Sequence, residues 1–227
     1  ARLREMLGFD WQDVVSANTP VGLENGARIA DHEGTTNIKY FPLTESEITT
    51  TLDVIARGET QFLAYFPQLI FQKAVLWTPS ETLASNLNQT YGHFAEVTTS
   101  PLSILHKRMQ VDTPCIIAVR ANSPELRNDF PQGTNVVFNE GVFNLMTQGL
   151  TKGRGVESIA EIMGIPLESV VTAGNEENDI PMLQLPVAKK FFVGNQLMGI
   201  TSIPEGTIRV DNPESLGNHL KTLAIKS

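Results

Sequence analysis

A single cysteine, Cys115, stands in the 227 residues, inside the apolar run PCIIAV. No intrachain disulfide is possible, and a lone thiol among aliphatic neighbours reads as a small core residue. That usage points to a reducing, cytoplasmic compartment. No apolar stretch approaches the roughly 18 residues that a membrane span needs. Basic residues are also scarce, 17 against 25 acids, for a formal charge of −8. Such a surface repels phosphate backbones, which argues against nucleic acid as a partner and leaves small anionic ligands open, because a local basic pocket can sit in an acidic protein. There is no internal repeat and no low-complexity tract. The opening ARLREML is charged and helix-like, shows no secretory pattern and lacks an initiator methionine, so it reads as something other than the natural beginning.

What is present is an ordinary globular composition, 41% apolar and 19% charged, long enough for one large domain or two small ones. Leu3 and Leu7 suggest the tail of a helix stopping at Gly8, and TPVGLENGARI a strand running into a glycine turn. Thr44 to Glu47 has capping-box spacing and opens an amphipathic helix with Ile48, Leu52 and Ile55, closed by Gly58. QFLAYF, KAVLWT and CIIAVR read as strands, SETLASNLNQTYG as a helix, and NVVFNEGVFNLM as a hairpin turning at Asn139-Glu140-Gly141. The segment between that helix and CIIAVR is polar and mixed, with no clear period.

From Thr151 the texture changes. TKGRGVESIAEIMGI predicts a helix that opens at a glycine-rich turn, buries Val156, Ile159, Ile162 and Met163, and closes at Gly164. SVVTA predicts a short buried strand, NDIPMLQL a short helix, KKFFVGN a strand into a turn, and PESLGNHLKTLAI a terminal helix. This tight alternation predicts a parallel α/β layer, whereas residues 41–147 predict a strand-rich α+β insert.

The segment AGNEENDIPML concentrates oxygen donors from Asn175 to Asp179, immediately after a β-branched run. In open parallel sheets ligands bind at the carboxyl ends of strands. Gly174 allows a sharp turn and a close approach, and Asn175 with Asp179 could offer hard oxygens to Mg²⁺. On spacing alone, the same residues are equally a polar loop whose Asn and Asp cap the next helix. Lys152, at a helix mouth between Thr151 and Gly153, is of a type that holds phosphate beside helix N–H groups. A lysine and an acidic loop some twenty residues later form a more specific combination than either alone, because together with a metal they would neutralise a transferring phosphoryl group.

Taken in order, TKGRGVESIAEIMGI, VVTAGNEENDIPML and FFVGN resemble the C-terminal half of the haloacid dehalogenase (HAD) superfamily, most closely its Cof-like branch of phosphatases with a large α+β cap. VGLENGARI is similar to that branch's passage from core to cap, and FNLMTQGLTKG to its return. The resemblance implies a Rossmann-like core in two pieces, 1–40 and 148–227, with a cap at 41–147 that closes over the core and chooses the leaving group. It implies Lys152 as the lysine that binds the phosphoryl group. It further implies Asp179 and Asn175 at the magnesium site, Asn178 as the neighbouring amide, Asn25 and Gly26 in a turn near the substrate entrance, and Gly194 and Asn195 in a later turn close to the site. The expected activity is Mg²⁺-dependent hydrolysis of a small phosphorylated metabolite, such as a sugar phosphate.

Two features depart from that pattern. The family's nucleophile is the first aspartate of a DxD motif, and no DxD occurs; Asp10 and Asp13, in FDWQD, have the wrong spacing. The chain therefore reads as starting after that motif, short of a strand-helix-strand piece on the order of 30 residues. Asn175 stands where the family has aspartate, which removes a negative charge from a hard-cation site. These departures keep a second reading open, a non-catalytic binding or regulatory module on the same fold. In the insert, His106, Lys107, Arg108 and Arg120 are the candidate substrate contacts, against the alternative of a solvated basic face. His32, His93 and His219 receive no role, and Trp77 and Tyr65 read as core.

Overall fold

The computed structural model describes residues 19–32, 36–57, 60–65, 74–121, 124–130, 134–139, 141–194 and 202–224. The helix expected over Leu3 and Leu7, the stop at Gly58 and the turn residues Glu140 and Asn195 lie outside them. The chain divides into two compact units, residues 1–39 with 151–227, and residues 40–150.

The described part of the first unit begins with β1 (Val21–Leu23) and β2 (Arg28–Ala30), an antiparallel pair in which Val21 faces Ala30. They are joined by a tight turn at Glu24–Gly26. β3 (Asn37–Tyr40) extends this pair into a three-stranded sheet.

The second unit is built on a six-stranded sheet. Its strands are β4 (Thr60–Tyr65), β5 (Ala74–Trp77), β6 (Ala95–Thr98), β7 (Ile116–Ala121), β8 (Asn135–Asn139) and β9 (Val142–Met146), in the order β6-β5-β4-β7-β9-β8. Only β5 and β6 run parallel. Helices α1 (Glu45–Ala56), α2 (Glu81–Tyr91) and α3 (Leu102–Val111) complete it. Helix α1 starts as its sequence predicts: Thr44 accepts from the Glu47 amide at 3.2 Å and Glu47 returns a bond to the Thr44 amide at 2.7 Å. Its stripe of Ile48, Leu52 and Ile55 packs with Leu105 and Met109 of α3 against Leu63, Tyr65, Val75, Trp77, Ile117, Val119, Phe143 and Leu145 of the sheet. Period-2 burial along the strands and i, i+4 burial along the helices therefore meet in one apolar layer. Cys115 is buried there as a free thiol, and the Trp77 indole donates to the Ser100 carbonyl at 2.7 Å.

The polar, mixed segment expected after α2 is ordered: it holds β6 and α3. Sequence periodicity missed α3 because only Leu105 and Met109 are buried on it and its N-cap, Pro101, makes no side-chain bond.

The chain then forms α4 (Lys152–Met163), β10 (Val171–Gly174), α5 (Ile180–Leu183), β11 (Lys189–Val193), β12 (Ile208–Val210) and α6 (Pro213–Ala224). β10, β11 and β12 are parallel and adjacent in that order, the layer that the alternation of elements predicts. Gly164, at φ 65°, closes α4 in the left-handed conformation that a Cβ disfavours, and the Ile165 amide reaches back to the Ala160 carbonyl at 2.9 Å. The predicted buried face of α4 needs correction: Ile162 and Met163 are exposed, and the fully buried residues are Gly153, Gly155, Ser158 and Ala160. Small side chains let backbone approach the helix, and that approach, not an aliphatic stripe, selects its inner face. Among the described residues no helix is long and apolar enough to cross a membrane.

Candidate functional site

At the carboxyl end of β10 the chain makes one short turn, Glu177–Asp179, before entering α5. The Asp179 side chain is almost wholly buried and folds back under the strand end. Its Oδ2 accepts from the amides of Asn175 at 2.8 Å and Glu176 at 3.1 Å. The Glu176 carboxylate in turn accepts from the Asp179 amide, so the loop is closed by reciprocal caps. Gly174 is required by this arrangement: a Cβ there would lie 2.3 Å from Asp179 Cβ and 2.7 Å from its Cγ. The other oxygen, Asp179 Oδ1, accepts from Lys152 Nζ. A buried carboxylate demands a counter-charge, and Lys152, from the first turn of α4, supplies it. The loop and the lysine, singled out separately in sequence, are thus joined by an ion pair.

Three glycines bring α4 to this point. Thr151 caps the helix, accepting from the Arg154 amide at 3.2 Å, and sets Lys152 as its first residue. Gly153 then lies against the start of α5, where a Cβ would sit 2.7 Å from the Pro181 carbonyl oxygen. Gly155 lies against the Glu24–Gly26 turn, where a Cβ would sit 2.8 Å from Gly26 Cα. Gly26, at φ 89°, has Gly155 Cα and the Thr151 carbonyl as its own nearest neighbours. The glycine-rich stretch expected to be a turn is therefore the first turn of the helix itself. Glycine inside a helix costs about 1 kcal/mol relative to alanine; K-G-R-G, with two such residues on one face, was the signal for this close packing, and neither Gly153 nor Gly155 was singled out from sequence.

Asn25, one residue earlier, has φ 58° and ψ 27°, and it is the one non-glycine residue at positive φ among the described residues. Its Oδ1 accepts from Asn178 Nδ2 at 3.3 Å. Asn178 Oδ1 is buried and has no hydrogen-bond partner among the described residues. An oriented, unsatisfied acceptor of this kind calls for an explanation. Asn25, Gly26, Lys152, Asn178 and Asp179 are thus brought together. Asn175 is exposed at the same strand end, and Gly194 follows β11 at φ 105°.

As a metal centre the described residues are incomplete. Both oxygens of Asp179 already have donors, two backbone amides and a lysine, and Asn175 contributes a neutral amide. No group of three or more His, Cys, Asp or Glu side chains among the described residues could hold an ion. Hard divalent cations need several oxygen ligands, with charge among them. Asn175 and Asp179 do not by themselves fit that requirement.

In the inserted unit, the basic residues have internal partners or solvent. Arg108 makes a two-pronged ion pair with Glu96, Nη1 to Oε1 at 2.7 Å and Nη2 to Oε2 at 2.8 Å, and these bonds hold the Glu96 carboxyl below its ordinary range. His106 Nε2 meets Glu45 Oε1 at 2.8 Å, beside a shallow cleft lined by Thr49, Asp53 and Ser103. Bonds from Gln110 first, and from His106, lower the Glu45 pKa. Arg120 packs its guanidinium over Gly141, and Lys107 is exposed.

The architecture, a parallel α/β unit interrupted by a strand-rich insert with an ion-paired lysine and carboxylate at a strand end, is that of an HAD-type fold. The similarities to solved structures agree. A HAD subclass IIB sugar phosphatase, BT4131, superposes with a TM-score of 0.69 at 14% identity, over 91% of this chain and 76% of that one. A haloacid dehalogenase-like hydrolase from B. subtilis gives 0.67 at 19% identity over 93% and 81%. The phosphatase BT1666 from Bacteroides thetaiotaomicron gives 0.66 at 14% identity over 88% and 72%. No curated protein matches the sequence significantly. The family model for haloacid dehalogenase-like hydrolases matches residues 4–199, and the chain belongs to that family.

Proposed function

We propose that the protein is a phosphoric monoester hydrolase acting on a small phosphorylated metabolite, with a sugar phosphate the favoured class. The observation that carries this reading is the Lys152–Asp179 pair at the carboxyl end of β10: a cation fixed by a buried carboxylate, at the first turn of a helix whose N-terminus favours anions. Lys152 neutralises charge on the phosphoryl oxygens. Asn178 presents the amide that contacts the substrate, and Asn25 and Asn195 lie on the substrate's side of the site. The sugar-phosphate preference rests on the sugar phosphatase among the structural neighbours, and the cytoplasmic setting on the single buried thiol.

The attacking group in this reading is an aspartate outside these 227 residues, which contain no DxD. Its carboxylate oxygen bonds to phosphorus as the ester oxygen leaves with a proton, and water then cleaves the phosphoaspartyl bond to release inorganic phosphate. Phosphatases of this family are generally metal-dependent; Mg²⁺ suits the oxygen donors, and Asn175 is the described residue placed to face it. The weak donor set at Asn175 also supports a second reading, a non-catalytic phosphate-binding module.

The test is phosphate release from a panel of sugar phosphates by the protein from its native source, compared with K152M. Turnover that falls by about a hundredfold or more in the variant, the size expected for losing a group that stabilises transition-state charge, supports the hydrolase. Binding of inorganic phosphate by the native protein without any turnover supports the module. Turnover unaffected by K152M overturns the assignment of this site.

A further inference from the structure

Four contacts close a ring around the Lys152–Asp179 pair. Lys152 meets Asp179, Gly153 abuts Pro181, Gly155 abuts Gly26, and Asn25 bonds to Asn178. Three are made by an ion pair or by backbone pressed on backbone. The fourth rests on one side-chain hydrogen bond, 3.3 Å long, between residues 153 positions apart in sequence.

Asn25 holds that bond from an unusual backbone position. At φ 58° and ψ 27° glycine is the residue with least steric conflict, and the next residue is in fact glycine. Asparagine tolerates the left-handed region better than other side chains, so an asparagine here combines the required backbone with a carboxamide that glycine lacks. That carboxamide takes the donor end of Asn178, which fixes the other end: Asn178 Oδ1 points into the protein, buried and without a partner. Asn178 immediately precedes Asp179, whose Oδ2 collects the Asn175 and Glu176 amides. Tension or slack at Asn178 is thus transmitted to the residue that positions Lys152.

We infer that Asn25 is a positioning residue: it orients the Asn178 carboxamide and steadies the 175–179 loop, and so acts on Lys152 and its bound anion without touching the anion itself. The effect on anion affinity rests on the phosphate-site reading above; the effect on the loop does not.

The experiment compares wild type, N25G, N25D and K152M on the full chain, with two readouts. One is affinity for inorganic phosphate by calorimetry. The other is hydrogen exchange of the Asn175 and Glu176 amides, referred to amides of β11. Glycine keeps the backbone conformation and deletes only the side chain. Aspartate keeps both the conformational tolerance and the acceptor oxygen. The expected result for N25G is exchange at Asn175 and Glu176 faster by roughly fivefold, the scale of one net hydrogen bond, with phosphate affinity weakened by a similar factor and β11 protection unchanged. N25D should retain wild-type exchange. Unchanged exchange in N25G overturns the inference, whether or not phosphate binds. A uniform rise across β11 also overturns it, because the residue would then serve overall stability. If K152M leaves phosphate affinity at the wild-type level, the phosphate-site reading fails while local acceleration in N25G still supports the positioning role.

Discussion

The two units are held together by different physics. In residues 40–150 a continuous apolar layer, with Leu63, Val75, Ile117, Phe143 and Leu145 of the sheet under Ile48 and Leu105 of the helices, is buried almost without exposure. In residues 151–194 the corresponding inner face of α4 is Gly153, Gly155, Ser158 and Ala160, and the tightest contacts are backbone against backbone around a charge pair. An apolar layer is tolerant of composition and costly to hollow out; a glycine contact contributes little area but admits no added atom. The first arrangement suits a unit that must keep its shape, the second a place where charges must be set to a fraction of an ångström.

The sharpest separation of the two comes from hollowing one and crowding the other. Phe143 is 2% exposed and packs edge-on to Phe130. F143A should lower stability by about 3–5 kcal/mol, the range for removing a buried phenyl ring, measured by urea denaturation, while phosphate affinity of the folded protein stays at the wild-type level. G155A should do the reverse. An exposed helical glycine gains about 1 kcal/mol on becoming alanine. Here the new Cβ meets Gly26 Cα at 2.8 Å, so the sign should invert to a loss of about 1–3 kcal/mol, typical of overpacking. Phosphate affinity should fall with it. A stabilised G155A would show that the turn at Gly26 yields, and would remove the glycine contact as the feature that positions Lys152.

Charge offers a smaller contrast within the site. N175D restores a negative oxygen at the exposed end of β10 and should raise Mg²⁺ affinity by about tenfold, since ligand charge governs binding of hard cations. Isothermal titration with MgCl₂ reads it directly. No change would mean that this strand end does not face a metal.

How far the sequence revealed each unit follows the same division. The insert was legible where burial is apolar and periodic: the capping box at Thr44, the Ile48–Leu52–Ile55 stripe and the hairpin of β8 and β9 appear as read. It was illegible at β6 and α3, where only Leu105 and Met109 of the helix are fully buried. In the parallel layer the strands announced themselves through KKFFV and VVTA, although Val171 is half-exposed and β12, only three residues long, was missed. At the site, residue types and spacing drew attention to Lys152 and Asp179, but not to the fact that Lys152 takes one oxygen of Asp179 while two amides take the other. That information lies in the folding-back of a single side chain. The burial of α4 was misread for a related reason: the hydrophobic pattern favours Ile162 and Met163, whereas glycine contacts with Gly26 and Pro181 decide which face is inside.

The smallest expected effect probes the insert's one strong surface pair. Glu96 on β6 and Arg108 on α3 join two elements by two parallel bonds. Those bonds depress the Glu96 pKa below its ordinary 4.5, and burial opposes them only weakly. A carboxyl whose pKa is lower folded than unfolded stabilises the folded state above its unfolded pKa and loses that contribution as pH falls through the folded one. Both side chains are more than a third exposed on one or both sides of the pair, so solvent screens the interaction. The stabilisation lost in E96Q should accordingly be about 0.2–1 kcal/mol above roughly pH 5. It should shrink toward zero as acid protonates Glu96 in the wild type, because the two proteins then carry the same charge at that position. Thermal melts of both at a series of pH values give the difference directly, and raising the salt concentration should compress it. A difference that persists unchanged into acid would place the role of Glu96 in packing between β6 and α3, and would extend to this edge of the insert the same dependence on shape that governs its core.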